Sequence, residues 1–131
     1  MFTVKCGYEN MVLGDVKALL DQTYWAAGRS DELIRASLKN ALCFGVFLDD
    51  GRQIAVGRVI TDLATAFYLS DIVVDQEYRG MGAGKALMDA IMAYPGLSGL
   101  KGMLTTRDAA GFYRKYGFEY REGAYMDRPR S

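Results

Sequence analysis

The segment Asp75-Gln76-Glu77-Tyr78-Arg79-Gly80-Met81-Gly82-Ala83-Gly84-Lys85 constrains this chain more than any other, because it joins an apolar strand to an amphipathic helix through three glycines at alternate positions. The strand is Ala66 to Val74. The helix starts at Gly84, carries Ala86, Leu87, Ala90 and Ile91 on one face, and ends at Tyr94-Pro95-Gly96. A short strand, Met103 to Thr105, follows. Strand, helix and strand in that order require a crossover, and so a parallel pair. The expected fold class is therefore α/β. Glycine accepts positive φ and lets a ligand reach the backbone without side-chain interference. The first amides of the helix have no partner within it and favour an anion, above all a phosphate. Arg79 and Lys85 add positive charge. Three glycines within five positions exceed what a turn needs, which makes the loop a candidate phosphate site.

Two commoner phosphate motifs fail by counting. A Walker A loop needs Gly five residues before Gly-Lys and Ser or Thr after it, where this chain has Arg79 and Ala86. A dinucleotide fingerprint started at Gly80 meets Lys85 where its third Gly belongs, and one started at Gly82 meets Leu87.

Around this unit, Val16, Leu19, Leu20 and Tyr24 recur at helical spacing up to Gly28, and Ser30 caps a second helix with Leu33, Ile34 and Leu38. Met1 to Cys6 reads as a strand, and Asp49-Asp50-Gly51 turns a hairpin between Cys43 to Leu48 and Gln53 to Ile60. Asp108 is expected to cap a last helix bearing Phe112, Tyr113 and Tyr116, closed by Gly117, with Phe118 to Met126 returning as one or two final strands. Strand alternation places Tyr68, Ser70, Ile72 and Val74 on one face and Asp71 with Val73 on the other, unless a bulge shifts the phase. The 131 residues show no repeat or linker and are read as a single domain spanning 1–131.

Composition removes several functions. With no His and two distant cysteines, Cys6 and Cys43, a His-ligated metal site, a zinc finger, a Ser-His-Asp triad and a Cys-His dyad lack their parts, so no metal is expected. Sixteen basic residues balance 16 acidic ones, which argues against a nucleic-acid partner. No apolar run approaches the ~20 residues that span a bilayer, and no secretory signal is read at the start. A cytoplasmic location with reduced thiols is the expectation.

Arg79-Gly80-Met81-Gly82-Ala83-Gly84 resembles the (Gln/Arg)-x-x-Gly-x-(Gly/Ala) signature of the Gcn5-related N-acetyltransferases, the GNAT superfamily. Ser70 to Asp75 resembles the strand before that signature, and Asp108 to Phe118, with Ala109, Phe112, Tyr113, Gly117 and Phe118, resembles the family's A-x-x-(F/L)-Y-x-x-x-G-F helix and strand. The resemblance implies a GNAT-like mixed twisted sheet with helices on both faces and an acetyl-coenzyme A (acetyl-CoA)-dependent N-acetyltransferase. It implies that Arg79, Gly80, Met81, Gly82, Ala83, Gly84 and Lys85 hold the pyrophosphate of acetyl-CoA. The pantetheine arm then lies along Ile72, Val73 and Val74 with Phe112 beside it, where two parallel strands part near Val74 and Thr105. Tyr113 matches the tyrosine that protonates the departing thiolate. Many members carry Asn where this chain has Thr106. By the same resemblance the junction of the two N-terminal helices covers the acceptor, which draws Tyr24, Trp25 and Arg29 into the site as aromatic walls and a cation. The expected partner is a small-molecule or peptide amine, attacked directly in a ternary complex; a homodimer is a possible assembly. The general base is open among Asp71, Glu77, Tyr68 and water. The alternative is a module of the same fold that binds coenzyme A with little transfer.

Overall fold

The computed structural model describes residues 2–130. Five strands form one sheet in the order β1-β2-β3-β4-β5: β1 (Thr3–Cys6), β2 (Leu42–Phe47), β3 (Gln53–Thr61), β4 (Ala66–Val74) and β5 (Lys101–Leu104). The first four are antiparallel neighbours, and β4 pairs β5 in parallel, so the sheet is mixed. Met1, counted in the expected first strand, lies outside the described residues.

Helices cover both faces. Helix α3 (Ala83–Ala93) turns Ala83, Leu87, Met88 and Ile91 onto one face of the sheet, where they meet Phe44, Val46, Ile54, Val59, Phe67 and Leu69. The spacing of these four is helical, the segment is rich in Ala and Leu, and Tyr94 before Pro95 leaves the helix in extended conformation, as a residue before proline favours. Each fully buried aliphatic side chain here contributes roughly 1.5–3 kcal/mol. On the other face, α1 (Leu13–Leu20) and α2 (Asp31–Lys39) bury Val16, Leu19, Leu20, Ile34 and Leu38 against Cys43, Phe47, Val56 and Val73. The Ser30 side chain accepts from the Leu33 amide and caps α2, as the sequence suggests. Helix α1 stops at Leu20, so Tyr24 belongs to the connection rather than to the helix. No helix among the described residues is long and apolar enough to cross a membrane.

Three local expectations are corrected. The last helix, α4 (Ala110–Arg114), is preceded by Ala109 with no side-chain cap; Thr106 Oγ1, not Asp108, accepts from the Ala109 amide at 3.0 Å. No strand follows β5 among the described residues, because 119–130 is exposed throughout and offers no second apolar row to the sheet. Its contacts back to the domain include the Tyr120 hydroxyl donating to the Thr106 carbonyl and Glu119 accepting from Arg114 Nε at 2.8 Å.

The third correction concerns β4. Arg58 stands opposite Asp71 and Val59 opposite Leu69, which leaves Ser70 as an extra residue, a bulge. Burial alternates without a break along the strand, yet the buried side chains change face: Phe67 and Leu69 point to α3, whereas Asp71 and Val73 point to α1 and α2. Tyr68 consequently shares a face with Asp71 and not with Ile72.

Candidate active site

The ladder between β4 and β5 runs only from Ala66 opposite Lys101 to Leu69 opposite Leu104. Beyond the bulge, Asp71 to Val74 keeps its β3 neighbours, and from Ser70 on the strand has no β5 partner, while the chain after Leu104 turns away towards α4. A cleft of about 740 Å³ opens between the parted segments. Its floor is Ile72, Val73 and Val74; α4 supplies Phe112 and Tyr113; the α1–α2 connection supplies Tyr24 and Trp25.

One end of the cleft is the glycine loop. Gly80 and Gly82 have φ of +80° and +90°, and nothing lies within 4 Å of where a Cβ would stand on either. Their need for glycine is therefore conformational, and the space above them is open to a ligand. Gly82 precedes α3, whose first intrahelical bond runs from the Ala86 amide to the Gly82 carbonyl, leaving the amides of Ala83, Gly84 and Lys85 free of partners inside the helix. Gly80, Gly82, Gly84, Arg79 and Lys85 all line the cleft. Met81 stands in solvent and Ala83 turns its methyl into the core. Lys85 donates to Asp89 at 2.7 Å, so its charge is partly answered from within α3. The Arg79 Nε donates to the Val74 carbonyl at the foot of the loop. Gln22 Oε1, just past α1, accepts from the Gln76 amide and ties the α1–α2 connection to the same loop, a contact with no local sequence signal.

Tyr113 sits midway, its ring edge-on to Phe112 at 5.1 Å and to Phe118 at 6.1 Å. Burial, then the negative charge of Asp108, pushes its phenol up to about 12. No group among the described residues hydrogen-bonds its hydroxyl, which leaves a protonated donor in the cleft without a protein partner. Tyr116, one turn on, reaches Asp89 instead.

Behind the Trp25 wall lies Asp71, which is 2% exposed; neither it nor its partners Arg29 and Arg58 are among the residues that line the cleft. Trp25 Nε1 donates to its Oδ1 at 3.1 Å, and Arg29 Nη1 and Arg58 Nε both donate to its Oδ2 at 2.8 Å. Arg58 also donates to the Ser70 hydroxyl at 2.7 Å. Burial alone would raise the Asp71 carboxyl, but the two guanidiniums outweigh it and hold the group below the usual carboxylate range. Asp71 is thus a fixed anion that orients Trp25 and Arg29, and it is not free to collect a proton. Of the other base candidates, Glu77 is exposed beside Arg52, and the Tyr68 hydroxyl is bonded to Thr105. Arg107 lies over the Tyr24 ring at 3.7 Å and links the β5–α4 loop to the α1–α2 connection. Arg58 and Arg107 escaped the sequence reading. An aspartate within Phe67-Tyr68-Leu69-Ser70-Asp71-Ile72-Val73-Val74 was the available signal that a buried partner exists. The thiol of Cys43 is pushed up to about 11 by burial and is no nucleophile at neutral pH.

A family model described as an acetyltransferase (GNAT) domain matches residues 39–120, more than half of the chain and all of the cleft except the α1–α2 connection. The chain belongs to the GNAT acetyltransferase family. A crystal structure from Xanthomonas campestris pv. campestris, assigned to the same family, is 41% identical over 98% of this chain and 93% of that one, with a TM-score of 0.90. A Staphylococcus aureus protein of unknown function, described as a probable acetyltransferase, is 28% identical over 98% and 99% of the two chains with a TM-score of 0.79. At 19% identity, an aminoglycoside N-acetyltransferase solved with coenzyme A shares the fold, covering 100% of this chain and 96% of its own, with a TM-score of 0.73. The GNAT assignment accords with the mixed sheet and its two helical layers.

Proposed function

We propose that the protein transfers an acetyl group from acetyl-CoA to the amine of a small molecule or peptide, by direct attack in a ternary complex. The observation that carries this reading is the open edge of β4. Ser70 to Val74 offers main-chain groups without a β5 partner, at one end of which lie the free amides of α3 and beside which stands the unpartnered Tyr113 hydroxyl. An extended arm with amide groups pairs with such an edge as an added strand would. A pyrophosphate suits the amides after Gly82. The bound acetyl-CoA would supply an acetyl group activated as a thioester.

Tyr113 holds the proton that the departing thiolate needs. A phenol at about 12 keeps that proton at neutral pH. The apolar walls that raise the phenol also raise a thiolate beside it, which narrows the gap between their proton affinities. Asp71 is committed to Arg29 and Arg58, so the amine loses its proton to water or arrives neutral. Free thiols at Cys6 and Cys43 suit the reducing cytoplasm.

None of the base candidates Asp71, Glu77 and Tyr68 lines the cleft, which favours one rival, a coenzyme A-binding module with weak transfer. A coenzyme A release assay against a broad amine and amino-acid panel separates the two. Turnover with at least one amine is expected, and Tyr113→Phe should lower kcat by roughly 10 to 10³-fold with acetyl-CoA affinity little changed. No turnover, together with firm acetyl-CoA binding, would support the rival.

A further inference from the structure

Asp71, Arg29 and Arg58 place two cations around one carboxylate. Side-chain exposure is 3% for Asp71, 13% for Arg58 and 21% for Arg29, so the cluster is largely withdrawn from water. No other carboxylate lies within 4 Å of either guanidinium among the described residues, which leaves one positive charge uncompensated. Withdrawing a charge from water without a counter-ion is unfavourable, and the deficit is met by an anion that binds there. Arg58 already uses its Nε and one terminal nitrogen on Asp71 and Ser70. The Arg29 side chain makes a single hydrogen bond, through Nη1, and is the more exposed of the two. Its remaining donors are the ones available to a ligand.

The location excludes the cofactor's own phosphates as that anion. Asp71 lies at the bulge where β4 and β5 part, while the free amides that suit a pyrophosphate begin beyond Gly82, after Ile72 to Val74 and the loop have intervened. Trp25, bonded to the same carboxylate as Arg29, is a wall of the cleft; Arg29 is not itself a lining residue but stands behind Trp25, joined to it through Asp71 and still 21% exposed. Arg107, stacked on Tyr24, adds a second cation on that side. Asp108 stands across the cleft near Tyr113 and answers neither guanidinium.

We propose that the acceptor is a small amine that also carries an anionic group, a carboxylate or a phosphate, which the Arg29 guanidinium receives beside Trp25. Guanidinium donors bind either group through charge-assisted hydrogen bonds. A polyamine is disfavoured, since the carboxylate on this wall is already neutralised. The inference rests on the acetyltransferase reading and narrows its substrate.

The test compares amino acids with two neutral analogues each, the decarboxylated amine and the α-amide, together with O-phosphoethanolamine against ethanolamine and spermidine as a polycation. The decarboxylated amine is more basic than the amino acid and the amide less basic, so preference for the acid over both cannot reflect amine pKa. Expected is a kcat/KM at least tenfold higher for one class of anionic amine, carboxylate or phosphate, over its neutral analogues. Arg29→Gln should shrink that ratio to within about twofold, chiefly through KM for the anionic amine, and Arg29→Lys, which keeps the charge, should restore part of it. Equal or better use of the neutral analogues or of spermidine by the natural chain would overturn the proposal, as would a ratio unchanged in Arg29→Gln. If acetyl-CoA stabilises the fold but no amine is turned over, the transferase reading fails. The anion site is then decided by whether the acid raises the melting temperature of the coenzyme A complex more than its amide does.

Discussion

Along its β3 edge, strand β4 is paired from Phe67 opposite Thr61 to Val74 opposite Ala55, whereas along its β5 edge pairing stops at Leu69 opposite Leu104. The closed edge lies over a dry core in which Leu87, Met88 and Ile91 are fully buried. The open edge faces free amides, a lone phenol and a buried ion cluster. One strand thus serves two purposes, and the bulge at Ser70 divides them. Stability should reside with the closed edge and ligand recognition with the open one, so substitutions on the two sides should fail in different assays.

The largest loss of stability is expected on the closed side. Phe44, 2% exposed and edge-on to Tyr94 at 5.7 Å, belongs to the α3 core. Phe44→Ala should cost about 3–5 kcal/mol in denaturant unfolding. Acetyl-CoA should still stabilise the variant; loss of that response would show that the two edges are not separable.

Asp71 sits at the division and should show an intermediate effect, about 1–3 kcal/mol for Asp71→Asn at neutral pH. Its carboxyl is held below the usual range when folded, so the natural chain keeps this contribution above the unfolded pKa of about 3.9 and loses it as pH falls through the lower folded value. The variant should therefore lose less stability between pH 5 and the acid limit, readable as a flatter melting profile. An identical acid slope in both proteins would mean that Asp71 is not held as an anion.

The smallest effect belongs to the rim. Arg107→Gln breaks the stack on Tyr24 and should change stability by no more than about 0.5–1 kcal/mol. Its KM for a good amine should rise while that for acetyl-CoA stays put.

Much of this division can be read in the chain itself. Ala66 to Val74 is expected as a strand and found as one, Ser30 caps α2, and the glycine loop is where its composition places it. These features depend on neighbours in sequence. The ion cluster depends on residues 42 and 13 positions apart brought together by folding, which no local pattern encodes. The bulge at Ser70 leaves the alternation of burial intact while changing its face, so periodicity alone misplaces Tyr68 relative to Ile72. The segment 118–126 has strand-like composition, but after Phe118 it lacks a buried row and forms no strand. The parting of β4 from β5 was legible only through the family resemblance.

The central claim is that acetyl-CoA occupies the cleft with its pyrophosphate at the amides after Gly82, and Gly82→Val tests it most directly. Valine at a φ of +90° strains the loop by about 1–3 kcal/mol and fills the space above it, yet leaves the α3 core untouched. At a hundred times its dissociation constant, acetyl-CoA should stabilise the natural chain by about 2.7 kcal/mol, raising its melting temperature, while NADH and ATP do less. The folded Gly82→Val variant should show no such rise. A rise of the same size in the variant would contradict the account.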